Sequence, residues 1–445
     1  MRARKRCAGA HDAFWSTLLL LLVLPAGSGA GEHPYRSYKG SITVPAVSEP
    51  SQAFFFHHQY LSHYHTGTMI SSSGYLRYKG CSQFRQRIVA STLSGHPLRI
   101  DEIRSGKEDE LQPGIQDFEA SFLRLVEKMC DGCRIEINET GTALKFKPGI
   151  ITGGRIKHDC GQADAQNPNL QCRSIGWFVE GIIPLAVFAK DPVHLQLSGI
   201  TNDALDLSVD VLTNVTLPLL RNFGVEGATL KLKKRGAAPK GGGYVEISIP
   251  LVREVSPINI TETGLVKRVR GVVYCSRITP TILTRVVDSA REVLNNLLPD
   301  VHIHTDHYKG SDGGGFSPGY SLALVAETTK GALLCAERTA MTAEGKNETP
   351  EDVGREGALL LLEEVRRGGV IDSCHQCLVL QLMVMGPEDV TKVRFGPLSP
   401  AAIKLLRLLR AAFGVVFKIK DDDADGTTVL SCLGIGYKNI SRRVT

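Results

Sequence analysis

Residues 208–249 read SVDVLTNVTLPLLRNFGVEGATLKLKKRGAAPKGGGYVEISI, and the order of patterns in this stretch decides the fold. From 208 to 223 the apolar residues recur at helical spacing, which predicts a helix with one apolar face. Leu230 and Leu232, then Val245, Ile247 and Ile249, alternate with polar residues, which predicts two half-buried strands. Between the strands lies a long glycine-rich hairpin loop. A shorter strand at 193–197 precedes the helix, with another helical stretch before it.

The same order occurs on either side. Phe118, Phe122, Leu125, Val126 and Met129 form one helical face over 116–130. Ile135 and Ile137, a turn at Asn138-Glu139-Thr140-Gly141, then Leu144 and Phe146 read as a hairpin. Residues 399–413 read as a helix, and 415–420 with 427–432 as a third hairpin. Short strands at 98–103 and 392–395 precede these helices. Three copies of one pattern predict an α+β fold. Three repeated βαβαββ-type units form a large domain over 75–255 and 345–445. Residues 256–344 follow a different order (strand 266–275, helix 279–298, strands 301–304 and 320–327) and read as a small inserted α/β domain.

Net charge is +6, which permits a polyanionic partner without requiring one. Eleven cysteines, an odd number without small-domain spacing, fit a reducing compartment. Residues 1–70 read as a poorly ordered extension. Within it Arg2, Arg4, Lys5 and Arg6, an apolar run over 14–24 and the small residues 26–30 have the layout of a secretory signal peptide.

The loop reads Arg235-Gly236-Ala237-Ala238-Pro239-Lys240-Gly241-Gly242-Gly243. Consecutive glycines reach positive φ and let backbone N–H groups approach a ligand. Lys231, Lys233, Lys234, Arg235 and Lys240 add positive charge, as an RNA backbone would require. The residues themselves also allow a plain hairpin loop with a solvated basic edge.

This string resembles the signature of the RNA 3′-terminal phosphate cyclase family. Ile103-Arg104-Ser105-Gly106 with Gln112-Pro113-Gly114, Phe146-Lys147-Pro148-Gly149, and Gly199-Ile200-Thr201-Asn202-Asp203 resemble it in the same order. The resemblance runs from about residue 76 to residue 443. His158-Asp159-Cys160, Thr305-Asp306-His307-Tyr308, Arg367-Gly368-Gly369 and Gly396-Pro397-Leu398-Ser399-Pro400 are similar to the cyclase-like, non-catalytic branch. The resemblance implies anion- or RNA-binding candidates Arg235, Lys240, Gly241, Gly242, Gly243, Lys233 and Arg104. It also implies that translation starts at Met69, just before the region of likeness, with residues 1–68 a non-native extension or an alternative leader.

The departures bear on activity. Cyclases take AMP from ATP onto a histidine, which needs a neutral imidazole. That position falls at Leu398, so no catalytic residue is expected. A cyclase glutamate falls at Lys79, an arginine at Gln86 (between Arg85 and Arg87), a loop histidine at Glu119, and an acidic residue at His375. The resemblance therefore implies a pre-rRNA processing factor of the small-subunit processome, in the nucleus and nucleolus. Its expected partners are a ribosome-assembly GTPase, pre-rRNA and processome components, with no membrane and no cofactor. The alternative is a metal-dependent endonuclease on Asp159, Asp203, Asp206 and Asp210. No metal site is expected elsewhere. Cys130/Cys133 and Cys374/Cys377 fall in different repeats and read as incidental, His302, His304 and His307 as a polar strand, and 421–426 as a solvated hairpin tip.

Overall fold

The computed structural model describes residues 69–70, 74–106, 113–161, 172–308, 313–340, 348–422 and 425–439. The expectations for the leader and the chain start fall on residues 1–68, outside the described residues. The described part is a mixed α+β structure with four sheets of four or five strands, a two-stranded pairing and eight helices.

The first sheet is built from strand Leu76–Lys79 (β1), helix Phe84–Ser94 (α1), strand Leu98–Asp101 (β2), helix Asp117–Met129 (α2) and the hairpin Arg134–Ile137 (β3) with Leu144–Lys147 (β4). Its order is β1-β2-β4-β3, with the first pair parallel and the others antiparallel, and Met69–Ile70 added antiparallel to β1. Helix α2 starts where Gln116 and Glu119 form a capping box, which satisfies backbone donors at its first turn.

The second sheet repeats the order with strand Gly153–Asp159 (β5), helix Ile175–Ala186 (α3), strand Asp191–Gly199 (β6), helix 209–222 (α4), and hairpin Thr229–Lys234 (β7) with Gly243–Ile249 (β8). β5 and β6 are parallel, and β8 pairs antiparallel with β6 and β7. Helix α4 contains a π turn at Leu212–Thr216. The first two hairpins and α2 lie within two residues of their expected bounds because each is written in a local period.

The third sheet starts with Asn259–Ile260 (β9), parallel to Val390–Phe395 (β14). The chain then leaves for another sheet before returning, so the first strand of this unit is split in two. Strand Val266–Ser276 (β10), helix Thr281–Leu294 (α5), and strands Val301–Tyr308 (β11), Gly319–Thr328 (β12) and Leu333–Thr339 (β13) form a sheet in the order β11-β10-β12-β13. Helix Pro350–Arg367 (α6) packs against α5, β12 and β13. It therefore belongs by packing with this sheet, although the sequence reading ends the insert at 344. Ile371 resumes the interrupted strand, bridging Leu333 on one side and Phe395 on the other. Helix Gln376–Met385 (α7), β14, helix Pro400–Phe413 (α8), and hairpin Lys418–Asp422 (β15) with Thr427–Leu433 (β16) complete the unit.

Helices α3 and α7 are apolar around nearly their whole circumference because they are central: α3 packs on α1 and α7, and α7 also packs on α8. Phe122, Trp177 and Phe178 meet edge-on or tilted at 5.1–6.4 Å inside this core.

Candidate functional site

The glycine-rich turn is built against protein on two sides. Gly241 and Gly242 have φ of +59° and +80°, so L side chains there would be strained. A Cβ on Gly242 would lie 2.6 Å from the Phe316 ring, and one on Gly243 would lie 2.9 Å from the Gly199 carbonyl oxygen. The turn's donors are also used. Gly236 N donates to Thr201 Oγ1 (3.1 Å), Lys240 N to Ser317 Oγ (3.0 Å) and Gly241 N to the Ala237 carbonyl (2.9 Å). Phe316 N donates to the Gly241 carbonyl and Arg235 N to that of Gly313. The glycines are thus required by close backbone packing against 199–202 and 313–317.

Arg235 points into the protein. It is 1% exposed. Its guanidinium donates to both oxygens of Asp210 at 2.6 and 2.7 Å and to Asn202 at 3.2 Å, reaches Asp306 at 3.4 Å, and stacks 4.4 Å from the Tyr274 ring centroid. Burial would favour the neutral form, but the Asp210 carboxylate outweighs it and holds the guanidinium charged. Arg235 therefore locks the turn to α4 and to the 266–339 sheet. The exposed charges are Lys231 and Lys240, together with Lys233, whose Nζ lies 3.5 Å from Glu246. Lys234 rests over the Phe316 ring. The basic edge runs along β7 and continues to Lys240 in the turn.

Arg104 is engaged as well. It donates to both oxygens of Glu119 (2.7 and 2.9 Å) and to the Gly114 carbonyl. Glu119, at the loop-histidine position, is thus consumed in capping α2 and neutralising Arg104.

Leu398 is half-buried against the core at the start of α8. The Gln376 side chain spans its loop, donating to the Pro397 carbonyl (3.1 Å) and accepting from Ser399 N (2.9 Å). Residues 79–83 lie alongside: Gln83 Nε2 donates to the Ala401 carbonyl and Lys404 to Ser82. Lys79 pairs with Glu102 at 2.6 Å on the surface. Arg85 is buried between Glu180 and the Trp177 carbonyl, and Arg87 donates to the Gly80 carbonyl over the Tyr78 ring. Gln86 lines a crevice of about 10 Å³ with Arg85, Glu180 and Cys377, enough for one water-sized sphere. His375 is buried between Asp372 and Thr216. Charges at or beside the positions that the resemblance matches to cyclase ATP-handling residues thus have protein partners.

The sequence model described as RNA 3′-terminal phosphate cyclase matches residues 76–419. The chain belongs to the RNA 3′-terminal phosphate cyclase family. It is similar to the RNA 3′-terminal phosphate cyclase-like protein of Homo sapiens, with 46% identity over 383 residues, 84% of this chain and 99% of that protein. The protein of the same name from Mus musculus matches to the same extent. The rRNA processing protein rcl1 of Schizosaccharomyces pombe is 41% identical over 379 residues, 84% of this chain and 99% of that protein.

In this cyclase-like chain Asp203, Asp206 and Asp210 lie in one neighbourhood, but each has partners of its own. Asp206 is paired with Arg173, Asp210 with Arg235, and Asp203 accepts from the Leu205 and Asp206 N–H groups. Asp159 is exposed. Among the described residues, no three of these carboxylates form a group whose oxygens lie within 4.8 Å of one another. His302 and His304 are exposed on one strand face, as expected from alternation. Glu337 is the acidic residue that the sequence reading missed. It receives the Ser208 N–H at the start of α4, and burial pushes its carboxyl up to about 8. Its partner lies 129 residues away, so no local pattern marks it. The ten described cysteines are free thiols, and no helix among the described residues is long and apolar enough to cross a membrane.

Proposed function

We propose that this chain is a pre-rRNA processing factor of the small-subunit processome, needed for small ribosomal subunit biogenesis, and that it does not cyclise RNA ends. The observation that carries the reading is Leu398. A hydrocarbon side chain cannot accept AMP, and the Gln376 side chain occupies the polar groups of its loop. The rRNA-processing name of the fission yeast relative supports the biological half. The three sheet-and-helix units act as one large scaffold and the 266–339 sheet as its insert. A ribosome-assembly GTPase and pre-rRNA are the partners of this reading, the nucleolus is its place, and no bound cofactor is required.

Exposed Lys231, Lys233 and Lys240 form the RNA-facing edge in this reading. The metal-dependent endonuclease alternative is disfavoured, because Asp206 and Asp210 are paired with arginines and, among the described residues, no three of the four carboxylates converge on one point. Two assays test the proposal on the full chain. Incubation with α-labelled ATP and RNA ending in a 3′-phosphate is expected to give neither labelled protein nor cyclic phosphate. Depletion in cells is expected to stall early pre-rRNA cleavages. ATP-dependent cyclic ends, or normal pre-rRNA after depletion, would overturn it.

A further inference from the structure

The seam between the 266–339 sheet and the third sheet holds a cluster that the scaffold reading does not use. Ile371 bridges Leu333 and Phe395 there, and Asp372-Ser373-Cys374-His375 leads from it into α7. Cys335 Sγ, an Asp372 carboxylate oxygen and a His375 ring nitrogen all lie within 4.8 Å of one another, and all three residues are buried. Cys374, next to His375 in the chain, is open to solvent, and its thiol is near enough to act on that of Cys335. One sulfur, one imidazole nitrogen and one carboxylate oxygen therefore meet at one point, with the sulfur of the solvent-open Cys374 beside them.

The surroundings hold these groups in place. His375 Nε2 is 2.8 Å from Thr216 Oγ1 on the π turn of α4, which fixes the ring and leaves Nδ1 facing the cluster. An outer partner on the far nitrogen is the usual way of orienting a metal-ligating imidazole. The Asp372 carboxylate is fixed by two backbone donors, His375 N at 2.9 Å and Cys335 N at 3.2 Å. Thiolate, imidazole and carboxylate together are the donor set of tetrahedral zinc.

The geometry points to a structural Zn²⁺ site formed by Cys335, Asp372, Cys374 and His375, which clamps β13 to the first turn of α7. Binding forms two Zn–S bonds, one Zn–N bond and one Zn–O bond. The two thiol protons pass to solvent, along with any proton on Nδ1, which exchanges its Asp372 contact for the ion. Without an ion the same groups close a hydrogen-bonded chain Thr216–His375–Asp372, with Nδ1 2.7 Å from the carboxylate. The site differs from the cysteine pairs in the sequence, since Cys374 joins Cys335 rather than Cys377.

The test is titration of the full chain, stripped with chelator under reducing conditions, with Co²⁺ as the optical probe. One equivalent is expected to give thiolate-to-cobalt charge transfer and the intense d–d bands of a tetrahedral ion, bleached by Zn²⁺. Cys374→Ser alters an exposed residue and so keeps the fold. It is expected to remove part of the charge transfer and weaken binding by about tenfold or more. His375→Asn is expected to shift the d–d bands, and Cys130→Ser/Cys133→Ser to change nothing. Absence of a saturable tetrahedral spectrum overturns the site. So does a spectrum that survives Cys374→Ser intact or disappears with Cys130→Ser/Cys133→Ser.

Discussion

Replacing Arg235 by methionine separates a buried lock from a ligand-facing cation. The substitution removes two charge-assisted hydrogen bonds to Asp210 and the one to Asn202, and leaves the Asp210 carboxylate, 11% exposed, without its counter-charge. Breaking one side of such a pair costs about 3–5 kcal/mol. Arg235→Met should therefore lower the unfolding free energy by that amount. Arg235→Met/Asp210→Leu should recover part of it, because no charge is then stranded. The assay is urea unfolding followed by the fluorescence of Trp177, which is buried 5.1 Å from Phe178 and under the Arg85 guanidinium. A double-mutant cycle gives the coupling. RNA affinity of the folded Arg235→Met protein should stay within about twofold, since removing a single phosphate-binding cation would cost more than that at low salt. A variant that keeps its stability within about 0.5 kcal/mol while losing RNA affinity tenfold would refute the reasoning, because surface substitutions behave that way and buried ones do not.

Leu398→His should not restore adenylylation with labelled ATP, because Lys79, Gln86 and Glu119 still stand where cyclases hold other charges; labelled protein would contradict this. Reversing Lys231, Lys233 and Lys240 to glutamate should weaken single-stranded RNA binding and flatten its salt dependence by roughly 0.7 for each phosphate no longer neutralised, read by anisotropy titrations at several salt concentrations. Glu337 has its folded pKa raised to about 8 from an ordinary 4.5, so the stability it contributes is fully present below about 4.5 and is lost as pH rises towards 8. Glu337→Gln should remove that decline, so thermal melts should show the variant gaining on the parent with rising pH; parallel curves would refute the assignment.

Much of the fold was legible because helix and strand periods are local. The faces of α2, α4 and α8 and the three hairpins are each written within about twenty residues. Helix α6 and strand β13 were not assigned, although β13 pairs with the adjacent β12 and Thr349 and Asp352 form a capping box at the start of α6. That residue 398 is a leucine, with no imidazole to offer, needs no structure to be read.

Which charges remain free was decided by the tertiary structure. Arg235 and Lys240 look alike in one basic string, yet Asp210 and Asp306, 25 and 71 residues away, bury the first while the second stays in water. Arg104 meets Glu119 across a loop, and Cys335 meets His375 across the seam of two sheets. Side-chain identity and period belong to the chain, but a charge's partner and its desolvation depend on segments that only packing brings together.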